Sequence, residues 1–255
     1  MRPDRRSRAR AEAPRKRVTR VIRHVAARGG CDYAAAMTTR ALALTIAAAL
    51  LPQGAAAHPH VWIDTTVEVV LDDADRAVAV RIGWTYDSFF SLSVIADRGF
   101  DTDGDGQLSA AEVAALAGFD MQWPPGVPGD TYALTETRDL VLGPPEDWTA
   151  AYDGERITTT HLRRLPEPVE IGTGTFFVQV YDTGFYTAYT IVGHPLLTGG
   201  TGACKAQAWE PDLDAADEAL KEALKEYSAD QDVEADFPAI GRAYAEEVRV
   251  TCAAP

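Results

Sequence analysis

The chain has 255 residues, enough for one sizeable domain, with 24 Lys/Arg against 38 Asp/Glu. The basic residues crowd its start: residues 1–57 hold 12 basic and 3 acidic residues, which leaves 12 against 35 in 58–255, a formal net charge of −23. That charge excludes nucleic acid and an anionic membrane surface as partners of the main body and suits a protein that meets cations.

Residues 1–36 hold 11 Arg or Lys and show no apolar periodicity. They are expected to be a basic extension, with Met37 as the true start, rather than a nucleic-acid-binding arm. Met37 opens MTTRALALTIAAALLPQGAAA, the pattern of a secretory signal over 37–57. Arg40 is its charged end, and the apolar run Ala41 to Leu51 is too short to span a bilayer. Ala55-Ala56-Ala57 offers small-x-small for cleavage after Ala57, which would leave His58 as the mature N-terminus in the periplasm. No later stretch is long and apolar enough for a membrane span.

Val61 to Leu71 alternates apolar and polar, which predicts a half-buried strand, and Val78 to Tyr86 predicts its hairpin partner across Asp72–Asp75. Asp87 or Ser88 caps a helix to about Ala96 with Phe89, Leu92 and Ile95 as its apolar stripe. A second helix begins near Ser109, with Val113, Leu116 and Phe119 inward. Further strands are expected at Thr131–Thr135, Leu140–Leu142, Trp148–Tyr152, Arg156–Leu162, Gly174–Tyr181 and Tyr186–Val192, the last two as a hairpin around Asp182-Thr183-Gly184. Cys204–Trp209 and Val248–Cys252 complete the strands. Leu213–Tyr227 is helical, with Leu213, Ala216, Leu220, Leu224 and Tyr227 as its stripe and Asp217–Lys221 and Glu222–Lys225 as pairs. Many short strands around one helical insertion predict a mainly β, antiparallel sandwich-like domain over 58–255, with a helix–loop–helix insertion at about 87–119 and a C-terminal helix.

Between the first two helices lies DTDGDGQLSAAE, residues 101–112, which matches the twelve-residue calcium loop of an EF-hand. Ca²⁺ wants six to eight oxygens. Asp101, Asp103 and Asp105 supply carboxylates, Gly106 the left-handed turn, Gln107 a main-chain carbonyl, Ser109 a direct or water-mediated ligand, and Glu112 two closing oxygens. Leu108 is the apolar anchor. A single copy in a secreted domain is expected to be a structural staple rather than a switch.

A second constellation stands at the mature end, His58-Pro59-His60. The α-amine and imidazole of His58 can brace one metal ion, and on an extended chain His60 projects to the same side about 7 Å along. Nitrogen donors of this kind suit Zn²⁺, Cu²⁺, Ni²⁺ or Co²⁺. Pro59 has no N–H, so a square-planar site through backbone amides is excluded. His161, His194 or Asp182 would complete such a site; the rival reading is a plain solvated chain end. Cys204 and Cys252 are the two cysteines of 58–255 and are expected to pair in an oxidising compartment, rather than to chelate metal. Such a bridge is worth roughly 4 kcal/mol by the chain-entropy argument. GxSxG, HExxH and Walker patterns are absent, so no enzyme is expected. A copper oxygenase built on an N-terminal histidine brace is the one catalytic alternative.

In order, HPHVWID, GWTYDSFFS, DTDGDGQLSAAE, VYDTGFYTAYT and AYAEEVRVTC resemble domain-of-unknown-function family one-thousand-and-seven, secreted bacterial proteins loosely described as periplasmic components of ABC-type transport systems. The resemblance covers nearly all of 58–255 and places His58, His60, Asp64 and Asp182 on family motif positions. It implies a periplasmic accessory to nickel, cobalt or zinc transport, with an inner-membrane metal transporter as partner. The Pro-rich segment after the loop and the acidic helix Leu213–Tyr227 depart from the pattern. The alternative function is a calcium-stabilised adhesion or interaction module with no second metal.

Overall fold

The first hairpin follows from alternation alone. In the computed structural model, β1 (Val61–Leu71) pairs antiparallel with β2 (Ala77–Tyr86), Val67 opposite Ile82 and Thr65 opposite Trp84. Residues 59–124, 127–228 and 238–253 are described. The chain divides into two compact units, Met1–Ala55 and Ala56–Pro255, and every described residue belongs to the second. The basic extension, the signal segment and His58 lie outside the described residues.

Asp87 caps α1 (Ser88–Arg98), its carboxylate accepting the Phe90 N–H at 2.8 Å. Ser109 caps the short α2 (Ala110–Ala115). The strands that follow are β3 (Thr131–Thr135), β4 (Asp139–Leu140), β5 (Pro145–Tyr152), β6 (Ile157–Val169), β7 (Thr175–Val180), β8 (Thr187–Ile191), β9 (Leu196–Gly199), β10 (Cys204–Trp209) and β11 (Glu247–Cys252). Helix α3 spans Leu213–Leu224, and a 3₁₀ turn spans Gly241–Tyr244. One sheet has the order β5-β6-β2-β1-β8, with β9 also on β1; the other is β10-β11-β7-β3-β4. The domain is therefore mainly β with two sheets and a few helices. Buried residues of both sheets, Val69, Ile82 and Ile157 from one and Phe176, Val178 and Val250 from the other, form one apolar cluster. Each such side chain is worth about 1.5–3 kcal/mol on burial.

Five expectations are corrected. Strands β7 and β8 are not a hairpin: β7 is flanked by β3 and β11, whereas β8 runs parallel to β1 in the other sheet. The turn at Asp182–Tyr186 therefore carries the chain between sheets. With β9 also parallel to β1, the first sheet is mixed rather than antiparallel. Helix α1 buries Ser91, Val94 and Ile95, while Phe89 is 79% and Leu92 62% exposed, because Ser91 packs toward β6 and its hydroxyl accepts the Ile157 N–H. On α3 only Ala216 of the expected stripe is buried, Leu213 being exposed. Lys221 pairs with Glu218 rather than Asp217, whose carboxylate accepts from the Tyr244 hydroxyl.

The cysteines pair as expected: Cys204 and Cys252 face each other across β10 and β11 and are disulfide-bonded. Among the described residues no helix is long and apolar enough to cross a membrane.

Candidate metal centre

Helix α1 ends where Gly99 turns left-handed at φ 65°, with the Gly99 N–H donating to Ala96 and the Phe100 N–H to Ile95. The chain then enters the acidic loop. Asp101 accepts the N–H of Gly104 and of Gly106, at 2.8 and 3.0 Å; Asp103 accepts that of Asp105; Asp105 accepts that of Gln107 at 2.8 Å. Gly104 and Gly106 both take positive φ, 72° and 79°, which a side chain would oppose. These local bonds curl the backbone around its own carboxylates. One oxygen each from Asp101, Asp103 and Asp105 lie within 4.8 Å of one another. Among the described residues no Lys or Arg lies within 4 Å of the three. Three carboxylates so placed could hold a hard divalent cation.

Glu112 is used differently from the other three. One of its oxygens takes the N–H and hydroxyl of Thr102, and the other takes the N–H and hydroxyl of Ser109. Glu112 and Ser109 thus close a capping box on α2. Those bonds, the Thr102 hydroxyl first, hold its pKa down at about 2. The structure brings three of the six expected loop ligands together, while Glu112 and the Ser109 hydroxyl satisfy each other. Leu108 packs against the core.

The histidines fall in different parts of the fold. His60, at the exposed start of β1, stacks on Tyr186 at 4.6 Å and donates its N–H to the Tyr186 carbonyl. Asp182 lies in the turn before β8, where its two oxygens accept from Gly184 and Thr187. The backbone of that turn is pinned by Gly241, whose Cβ position lies 1.7 Å from the Asp182 carbonyl oxygen, so only glycine fits there. Asp64 accepts from Arg156 at 2.8 Å. His194 is exposed between β8 and β9. His161 is fully buried on β6, level with Ile82 and hence with Val67, seven residues or roughly 23 Å along β1 from His60. It packs edge-on against Trp84 at 4.8 Å and Trp123 at 5.7 Å, and burial holds its pKa down at about 3. Neither ring nitrogen has a hydrogen-bond partner among the described residues.

Around His161 lies a polar cluster that local patterning does not announce. Asp120 accepts from the hydroxyls of Tyr86 and Thr159, both at 2.6 Å. Asp130 accepts from the Tyr189 hydroxyl at 2.8 Å, and burial raises its pKa to about 6. The only sequence signal for this cluster is the alternation of β6, which sends Thr159, His161 and Arg163 inward together.

The fold and loop define a class: a disulfide-bonded two-sheet β domain that carries a helix–acidic loop–helix. Residues 43–252 match the family described as "Protein of unknown function (DUF1007)", and the chain belongs to that family. No curated protein matches the chain. Among solved structures, Capitella teleta AChBP in complex with lobeline is similar at 11% identity, over 89% of this chain and 100% of that one, with a TM-score of 0.35.

Proposed function

We propose that this protein is an extracytoplasmic, non-enzymatic metal-binding domain, held together in part by calcium and serving as an accessory to transition-metal transport. The observation that carries the calcium part is the convergence of Asp101, Asp103 and Asp105 within 4.8 Å in a loop between two helices. Calcium bound to Asp101, Asp103, Asp105, Gln107, Ser109 and Glu112 completes an EF-hand once Glu112 exchanges its capping bonds for the ion. Extracellular sites of this kind have Kd values on the order of 10⁻⁴–10⁻³ M, which suits a staple filled where calcium is plentiful. The disulfide between β10 and β11 supports a periplasmic location. The transition-metal part rests on the sequence. Cleavage after Ala57 would free the His58 amine two residues before His60, which is exposed.

The test is to purify the secreted form, establish its N-terminus by mass spectrometry and measure bound metals by elemental analysis. Stoichiometric zinc, nickel, cobalt or copper on a chain that begins at His58 is the expected result. None above background, with His58 intact, overturns the cargo reading. Calcium is expected to raise the melting temperature of chelator-treated protein, and Asp101→Ala to abolish that rise; an unchanged melting temperature overturns the staple.

A second reading, a calcium-stabilised interaction module, is favoured by the exposure of Phe89 and Leu92 one turn apart on α1. It is indifferent to His58, so removal of that residue separates the two.

A further inference from the structure

A cavity of about 680 Å³ is walled by Met121, Trp123, Pro124, Val127 and Pro128 and by residues of β3, β4, β6 and β7. Its walls are mostly apolar, with Trp123, Leu140, Val141 and Leu142 among them, and Val141 is 78% exposed. Trp123 is locked in place: its ring lies over Gly129, where an added Cβ would come within 2.3 Å of it.

The unusual member of the wall is Arg163. It is the one buried arginine or lysine among the described residues, 4% exposed. Arg76, Arg81, Arg156, Arg164 and Arg249 each hold a carboxylate within 4 Å. Arg163 holds none. Its guanidinium is aimed by three main-chain carbonyls, those of Gly143, Pro128 and Leu142, and by the face of Trp123 at 5.1 Å. A guanidinium has five N–H donors, so one on each terminal nitrogen remains uncommitted among the described residues. Burial of an unpaired cation is costly, and in a domain with 35 acidic residues a protein carboxylate would be the ready remedy. The exposed Arg242 also lines the cavity and, among the described residues, has no carboxylate within 4 Å; Asp139, the one carboxylate among the described wall residues, is itself exposed.

Apolar walls with a fixed guanidinium match a ligand with an apolar body and a carboxylate head, which arginine binds through two parallel N–H bonds. The volume is in the range of small-molecule sites, about 300–1,000 Å³. The net charge of the domain opposes the approach of small hydrophilic anions, so the apolar contact must supply affinity and the arginines selectivity. We infer that this cavity binds a small amphiphilic carboxylate, its tail against Trp123, Leu140, Val141 and Leu142 and its head on Arg163, with Arg242 at the rim.

The probes are decanoate, decan-1-ol and decyltrimethylammonium, titrated calorimetrically into the purified protein. Decanoate is expected to bind at least tenfold more tightly than decan-1-ol, and the cation not at all. Arg242→Gln should weaken decanoate about fivefold, leaving decan-1-ol binding and the melting temperature unchanged. Arg163→Gln, if it folds, should make decanoate no tighter than the alcohol. No decanoate binding by folded protein, equal affinity for acid and alcohol, or an affinity for decanoate unmoved by Arg242→Gln overturns the assignment.

Discussion

The acidic loop and the polar interior around His161 are both built from carboxylates, yet they are assembled in opposite ways. In the loop every carboxylate bond is local: Asp101 reaches Gly104 and Gly106, and Glu112 reaches no farther than Thr102, ten residues away. In the interior, Asp120 meets Tyr86 across 34 residues and Thr159 across 39, and Asp130 meets Tyr189 across 59. The loop is wet and carries its own geometry, whereas the interior exists only once the sheets have closed. Substitutions should therefore be costly in the interior and mild in the calcium-free loop.

The largest expected effect is at Trp84, which is 3% exposed and contacts His161, Trp123 and Tyr189. Trp84→Ala should cost about 3–5 kcal/mol in urea denaturation. A loss below about 1 kcal/mol would mean the interior does not depend on this packing. Next, Asp120→Ala strands the Tyr86 and Thr159 hydroxyls and should cost about 2–3 kcal/mol by the same measurement. Asp101→Ala in calcium-free buffer should cost under about 1 kcal/mol, because the N–H groups it releases are exposed and water can reach them. If the two aspartates cost the same, the distinction between the regions fails.

The two regions also titrate apart. Unfolded, His161 takes a proton near pH 6.5; folded, burial lowers that to about 3. The unfolded state then binds more protons between these values, so stability is lost as pH falls from about 6.5 to about 3. His161→Leu should flatten that decline and leave stability at pH 7 unchanged or higher, since among the described residues both ring nitrogens lack partners. Glu112 is shifted from 4.5 to about 2, so its contribution is present above pH 4.5 and lost as pH falls toward 2. Glu112→Gln should remove only that lower part of the profile. Denaturation midpoints measured from pH 8 to 3 separate the two; identical profiles for both variants would contradict the assignment. The smallest effect is expected at Phe89→Ser, within about 0.5 kcal/mol because the side chain is already exposed.

Much of the molecule is legible along the chain. The alternation of Val61–Leu71, Thr131–Thr135 and Cys204–Trp209 predicts β1, β3 and β10 to the residue, and the caps Asp87 and Ser109 mark the starts of α1 and α2. In 101–112 the acids and glycines curl into a loop where one oxygen each of Asp101, Asp103 and Asp105 lie within 4.8 Å of one another. These succeed because period, caps and turns are properties of neighbouring residues.

Partners are another matter. Tyr186–Val192 has the pattern of a hairpin strand, but β7 already has neighbours on both edges, so β8 crosses to lie parallel to β1. Phe89 and Leu92 have helical spacing as good as that of Ser91, Val94 and Ile95, and only the sheet beneath α1 selects the second face. The elements and the acidic loop were readable along the chain, because each is closed by bonds between residues close in sequence. Which strands meet, where His161 and Arg163 are buried, and that His60 starts its strand beside Tyr186 were fixed by folding in three dimensions. Those outcomes depend on competition among long-range contacts for the same sheet edges and the same interior.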